Sequence, residues 1–356
     1  MSCGENKEEL MKFLFTCWKN AKPRLLRGIQ VVLSHEEKCH SFIESNEQLT
    51  CTEVLELSCD HEEADTRMIT HARHASQHFP NILIKSPDTD VFVIALNASL
   101  DIDADIFMET GVGHGRRIIS LSNVRQSLGD QWCRSLLGLH AFTGCDTTSS
   151  FYGKGKISAL KIAKMKVAHA TTFENLGREI VLSDALKQDL SRYVCHLYGY
   201  DECSDVNTAR YQLFKRGKYE EELLPPNQDS LDQHALRANF QCYIWRHATQ
   251  PMLHLPTFYN HGWKVDGEGN VEIAWMTIPA APDSILEFVN CKCTKGCENR
   301  RCSCLKASLK CTDVCQCHDC KNRYSESHDE SECYEDSDTF SSCDDHSSDE
   351  DSEDEQ

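Results

Sequence analysis

Nine cysteines fall close together near the C-terminus: Cys291, Cys293, Cys297, Cys302, Cys304, Cys311, Cys315, Cys317 and Cys320. Their spacing is C-x-C-x3-C-x4-C-x-C-x6-C-x3-C-x-C-x2-C. Thiolates at this density are ligands for a soft or borderline cation, of which zinc is the usual one. The stretch 291–323 carries few apolar side chains, so metal rather than a hydrophobic core must fold it. Two separate tetrahedral sites would use eight thiolates and strand one, whereas three tetrahedra can be filled by nine if three of them bridge. The tight C-x-C pairs favour the shared cluster. A disulfide framework is the alternative, and no secretion signal supports it.

A second chemistry is written in carboxylates. Three short motifs follow one another: Glu63-Ala64-Asp65, Asp88-Thr89-Asp90 and Gly144-Cys145-Asp146. Each stands where one element gives way to the next, and such positions can converge at the edge of a parallel sheet. Clustered carboxylates raise one another's pKa unless cations relieve them, and two Mg²⁺ or Mn²⁺ ions are the hard cations that oxygen ligands suit. A pair of such ions can activate water and stabilise the leaving oxygen of a phosphodiester. Each motif also has a plain structural use. Glu63 can complete a capping box with Asp60, Asp88 can cap a helix after Pro87, and Asp146 can start a turn. His71, His74 and His78 share a helix face but have no carboxylate to orient them, so they read as a solvated polar face. Cys145 has no histidine to form a nucleophilic dyad.

The elements that must position these groups are partly legible. Leu10, Phe13, Leu14 and Trp18 mark an opening helix, and Ile29–Leu33 is a β-type run. Residues 57–165 alternate helix and strand signals: a helix carrying Ala64, Met68, Ala72 and Ala75, a strand at Ile82–Ile84, an apolar run at Val91–Leu96, a strand at Arg117–Leu121 and a helix at Leu128–Phe142. The alternation predicts an α/β fold with a largely parallel sheet, preceded by an N-terminal segment, 1–56. Region 166–290 is less readable. It has helices at Leu186–Tyr200 and Asp229–His247, a hairpin over Gly262–Trp275, and a hinge at Pro279 and Pro282. No run is long enough to span a membrane, and no signal peptide is evident, which places the protein in the nucleus or cytoplasm.

Charge is as local as cysteine. The net charge is −19, but residues 324–356 hold 15 Asp and Glu without one Lys or Arg. That tail is expected to be disordered, with Ser347, Ser348 and Ser352 as candidate phosphorylation sites. It is either a solubilising segment or a DNA mimic that folds back on the cysteine module.

The stretch His61–Met165 resembles the flap-endonuclease-like (PIN-like) nuclease domains. In that family a Glu-Ala-Glu type pair opens a helix, an Asp-x-Asp pair follows a strand, and a helix ends in Gly-x-Asp; the three motifs above match in order. The resemblance implies metal-binding catalytic roles for Glu63, Asp65, Asp88, Asp90 and Asp146. It also implies a helix–two-turn–helix element, in which Gly153, Lys154, Gly155 and Lys156 grip DNA backbone through close amide approach and positive charge. The family's opening strand, which ends in an Asp ligand, has no counterpart before residue 60, so the domain looks entered partway. An active enzyme and an inactive descendant both fit.

The cysteine spacing resembles the tesmin-type CXC domain, which implies three zinc ions on nine cysteines and contact with DNA. Lys321-Asn322 after the last cysteine also fits that family. The module carries eight Lys and Arg against three acids, and about +2 remains once nine thiolates and three zinc ions are counted. Arg300 and Arg301 stand where that family places an aromatic reader. The expectation is therefore a DNA-associated, nuclease-like protein with a zinc module. Its alternative is a non-enzymatic, zinc-dependent DNA-binding or chromatin-interaction protein.

Overall fold

The computed structural model describes residues 4–26, 28–216, 221–279, 290–299, 301–306, 309–312 and 315–323. The expected acidic tail, Arg300 and Pro282 lie outside them. The chain divides into two compact units, Met1–Ile278 and Pro279–Gln356. No described helix is long and apolar enough to cross a membrane.

The larger unit opens with helix α1 (Gly4–Lys19), followed by an antiparallel meander of β1 (Val31–His35), β2 (Lys38–Ser45) and β3 (Gln48–Glu53). The turn between β2 and β3 places Asn46 and Glu47 at φ 54° and 62°, the paired left-handed residues of a two-residue hairpin turn. The sequence reading found only the first of these strands. The other two mix charged and apolar residues, and their turns lack the Asn-Gly or Asp-Gly signal.

A second sheet runs β4 (Asn81–Lys85), β5 (Asp105–Thr110) and β6 (Arg117–Ser120), in that order. The β4–β5 pair is parallel and β5–β6 is antiparallel. The largely parallel sheet of the sequence reading is thus reduced to one parallel pair. The reason is chain length: the short link from Thr110 to Arg117 cannot make the crossover that a parallel neighbour needs. Val91–Leu96 lies in helix α3 (Thr89–Ala98), which is apolar nearly all round and enclosed by the core.

The remaining helices are α2 (Ala64–Ser76), α4 (Leu121–Leu128), α5 (Asp130–Phe142), α6 (Lys156–Met165), α7 (Val167–Asn175), α8 (Asp184–Leu197), α9 (Val206–Lys215) and α10 (Gln228–Arg246), and a hairpin of β7 (Trp263–Val265) and β8 (Val271–Ile273) follows. One hydrophobic core joins α2 and α3 to α5, α7, α8 and α10, passing without interruption beyond Met165. Buried polar groups of α10 stitch this core together. Arg237, only 1% exposed, donates to the carbonyls of Gly262 and Ala274, each at 2.9 Å. Arg246, half-buried, donates to the carbonyls of Phe173, Glu174 and Leu176 at the end of α7.

Helices α5 and α7 meet backbone to backbone at Gly138, where a Cβ would lie 2.2 Å from the Phe173 carbonyl oxygen. Gly138→Ala is therefore expected to lower stability by about 1–3 kcal/mol, read as a shift of the urea midpoint; an unchanged midpoint would contradict this packing.

Candidate functional site

Carboxylates from all three motifs are held at element boundaries. Glu63 stands just ahead of α2, so Asp65 enters its first turn, where the exposed amides of the helix favour an anion. The Asp60 capping box does not form. Asp60 instead accepts the Leu253 amide at 3.1 Å, and Glu63 turns toward α10. There it accepts from Gln241 Nε2 at 3.2 Å and Trp245 Nε1 at 3.2 Å. Burial raises the Glu63 pKa, and these two donors oppose the rise.

Asp88 caps α3, accepting the Asp90 amide at 2.8 Å. Asp90 faces inward, 2.7 Å from His140 Nε2 on α5, with both side chains largely buried. Asp146 follows the end of α5. Gly144, at φ 112°, turns the chain there, and a Cβ on it would lie 3.0 Å from Ser150. Thr148 Oγ1 donates to the Ala141 carbonyl at 2.6 Å, and Thr147 Oγ1 to Gln241 Oε1 at 2.9 Å, which fixes the loop around Asp146.

Glu63, Asp65, Asp90 and Asp146 border one cavity of about 310 Å³, together with Gln241 and Trp245. Among the described residues, no Lys or Arg lines it. Burial first, and then the charges of Asp88, Glu63, Asp90 and Asp146, push the Asp65 pKa up to about 6. Asp88 adds to that field without bordering the cavity. Among the described residues, only cysteines gather three or more ligand atoms within 4.8 Å of one another, so the carboxylates stand further apart than a single bare ion's shell.

The residues expected to grip DNA have mixed placements. Gly153 is left-handed at φ 66°, and Gly155 precedes α6. Lys154 Nζ lies 5.0 Å from the centre of the Tyr198 ring. The Lys156 ammonium is turned inward, donating to His140 O, Thr143 Oγ1 and Gly144 O, which ties α6 to the end of α5. Arg301 is exposed. Of the three histidines expected on one helix face, His71 and His74 lie in α2 and His78 follows its end; His71 packs toward the meander, with Nε2 2.7 Å from Ser34 Oγ.

In the smaller unit the nine sulfurs converge. Cys291, Cys293, Cys297 and Cys302 form one group with all Sγ within 4.8 Å of one another, and Cys297, Cys311, Cys317 and Cys320 form another. Cys304 and Cys315 each belong to a group with Cys291 and Cys311, and their own sulfurs lie 3.6 Å apart. Neighbouring sulfurs stand 3.7 Å (Cys291–Cys297), 3.8 Å (Cys302–Cys311) and 3.9 Å (Cys291–Cys311) apart. These match the edge of roughly 3.8 Å expected of a zinc tetrahedron with 2.3 Å bonds, and they are far longer than a disulfide. Cysteine groups here could hold zinc. Around them, the Cys291 amide donates to Cys315 Sγ, the Leu305 amide to Cys302 Sγ and Asn322 Nδ2 to Cys311 Sγ, the kind of outer hydrogen bond that stabilises thiolate charge. Backbone bonds such as Gln316 N to Cys291 O and Cys311 N to Asn322 O hold the loops.

Sequence reasoning missed His140, Gln241 and Trp245. The last two sit at i, i+4 on α10, in a region without a recognisable motif, and only the fold brings them to Glu63.

Asp65 supplies a direct test. The folded protein keeps its proton up to a pH of about 6, whereas an unfolded Asp releases it near the ordinary 3.8, so stability falls as pH rises between those values. Asp65→Asn is expected to flatten that fall, and at pH 7 without divalent cations to stabilise the protein by about 1–2 kcal/mol in urea unfolding. A loss of stability at pH 7 would contradict the crowding of charge at this cavity.

Comparison with protein-family models, with curated proteins and with solved structures gives no match for this chain.

Proposed function

We propose that the protein is a DNA-associated, nuclear, metal-dependent phosphodiesterase of the flap-endonuclease-like kind, joined to a zinc module. The observation that carries the reading is that Glu63, Asp65, Asp90 and Asp146, from three motifs far apart in sequence, border one cavity with no basic residue among the described residues that line it. An uncompensated carboxylate with a raised pKa is the donor chemistry that a hard divalent cation relieves. Asp65, Asp90 and Asp146 would hold Mg²⁺ or Mn²⁺, which would supply an activated water and stabilise the leaving oxygen. Mg²⁺ keeps several of its waters, which suits carboxylates spread around a cavity rather than closed on a point. His140 orients Asp90, and Gln241 with Trp245 fixes Glu63. The expected assay is Mn²⁺-dependent cutting of branched or single-stranded DNA by the full chain, lost by at least about 100-fold in Asp146→Asn with DNA binding retained. Intact substrate at every cation and DNA structure tried would contradict an active enzyme and leave the inactive descendant.

The second reading, a non-enzymatic zinc-dependent DNA-binding protein, is favoured by the sulfur geometry. Three tetrahedra use all nine thiolates if Cys291, Cys297 and Cys311 bridge. Cys293 and Cys302 then complete one site, Cys304 and Cys315 the second, and Cys317 and Cys320 the third. Arg301 with the module's other basic residues supplies the attraction for phosphate. Elemental analysis of the purified chain should give three zinc ions. Cys311→Ser, which removes a bridge, should lose more zinc than Cys293→Ser, which removes a terminal ligand. Equal losses would contradict the bridging assignment.

A further inference from the structure

A second cavity of the larger unit, about 520 Å³, shares Glu63, Thr147 and Gln241 with the carboxylate cavity as a common wall. Its volume falls within the range of small-molecule sites. Three aromatic side chains border it: Phe240, Phe258 and Trp263. Phe240 and Trp263 meet edge to face at 5.6 Å between ring centres, and Phe258 stacks on Tyr259 at 5.1 Å. Leu255 stands on the lining with 39% of its surface exposed.

The walls are fastened in place. Asp60 holds the Leu253 amide, His61 Nε2 lies 2.7 Å from the Gln250 carbonyl, and Arg237 pins Gly262. That carbonyl can only accept, so His61 Nε2 carries the proton and Nδ1 is left as an acceptor. His61 lines the cavity, is 2% exposed, and its buried Nδ1 has no hydrogen-bond partner among the described residues. That nitrogen is enclosed by protein, so a ligand in the cavity meets the carboxylates of the wall instead.

The charges select the ligand further. Among the described residues the lining holds Asp60, Glu62 and Glu63 and no Lys or Arg, so a phosphate is repelled while a neutral ring with N–H donors is accepted. We propose that this cavity takes an unpaired nucleobase of single-stranded DNA, stacked on Phe258 and Trp263, while the adjoining phosphate lies at the carboxylate cavity. The inference rests on the phosphodiesterase reading for the phosphate, and on the aromatic cavity alone for the base. A base removed from its stack is bound in this way by aromatic rings and edge-reading polar groups.

The test uses the zinc-loaded full chain and a single-stranded oligonucleotide carrying one 2-aminopurine, whose fluorescence falls when it stacks, with Ca²⁺ present so that binding is read without cleavage. The wild type should quench the probe, and Phe258→Ala should weaken binding by about 10-fold with quenching lost. Leu255→Glu, an exposed change that spares the fold, should weaken it in the same direction. No quenching by the wild type, or unchanged binding and quenching in both variants, would overturn the proposal. Asp146→Asn separates the two readings. Quenching retained there, with Mn²⁺ raising the melting temperature of neither protein, would sink the cation site and keep the base pocket. Mn²⁺ stabilisation of the wild type, with no quenching, would do the reverse.

Discussion

Carboxylates held side by side without a cation repel one another, and the larger unit is arranged around meeting that repulsion. Glu63 is tolerated because α10 brings two neutral donors, Gln241 and Trp245, to its oxygens. Asp90 is tolerated because His140 lies against it. Asp65 has no such partner among the described residues of the lining, and its raised pKa is the residue of the conflict. The same helix α10 closes the end of α7, anchors the β7–β8 hairpin and crosses the core against α5 and α8. The apparatus that holds the carboxylates and the apparatus that holds the fold are largely one.

The smaller unit obeys a different constraint. Among the described residues its buried cluster consists of cysteines, with Leu305 packed against it. Hydrogen bonds from Leu305, Cys291 and Asn322 to cysteine sulfurs favour the ionised ligand, so the polypeptide is shaped for thiolate before any metal enters the account. Where hydrophobic burial stabilises the larger unit, a metal held by these cysteines would stabilise this one.

The cysteine cluster was legible because ligand spacing is a local property that survives without knowledge of the fold. The three acidic motifs were legible for a related reason: each marks an element boundary, and boundaries on one side of an α/β layer converge. What could not be read was long-range. Gln241 and Trp245 show no motif, and their use depends on α10 passing the start of α2. The meander at Val31–Glu53 was hidden by polar strands and by turns without glycine. The apolar run at Val91–Leu96 resembles a buried strand as closely as a buried helix, and the cap at Asp88 settles it as helix. The parallel character of the sheet was overestimated because the short link into β6 carries no residue that announces an antiparallel return.

The central claim is that the carboxylate cavity is a divalent-cation site. It is tested most directly by calorimetric titration of Mn²⁺ into the zinc-loaded chain at pH 6, in two buffers of different ionisation enthalpy. The account predicts saturable binding that releases a proton, with both the release and much of the affinity lost in Asp65→Asn. Absence of binding, or binding with the same proton release in that variant, would contradict it.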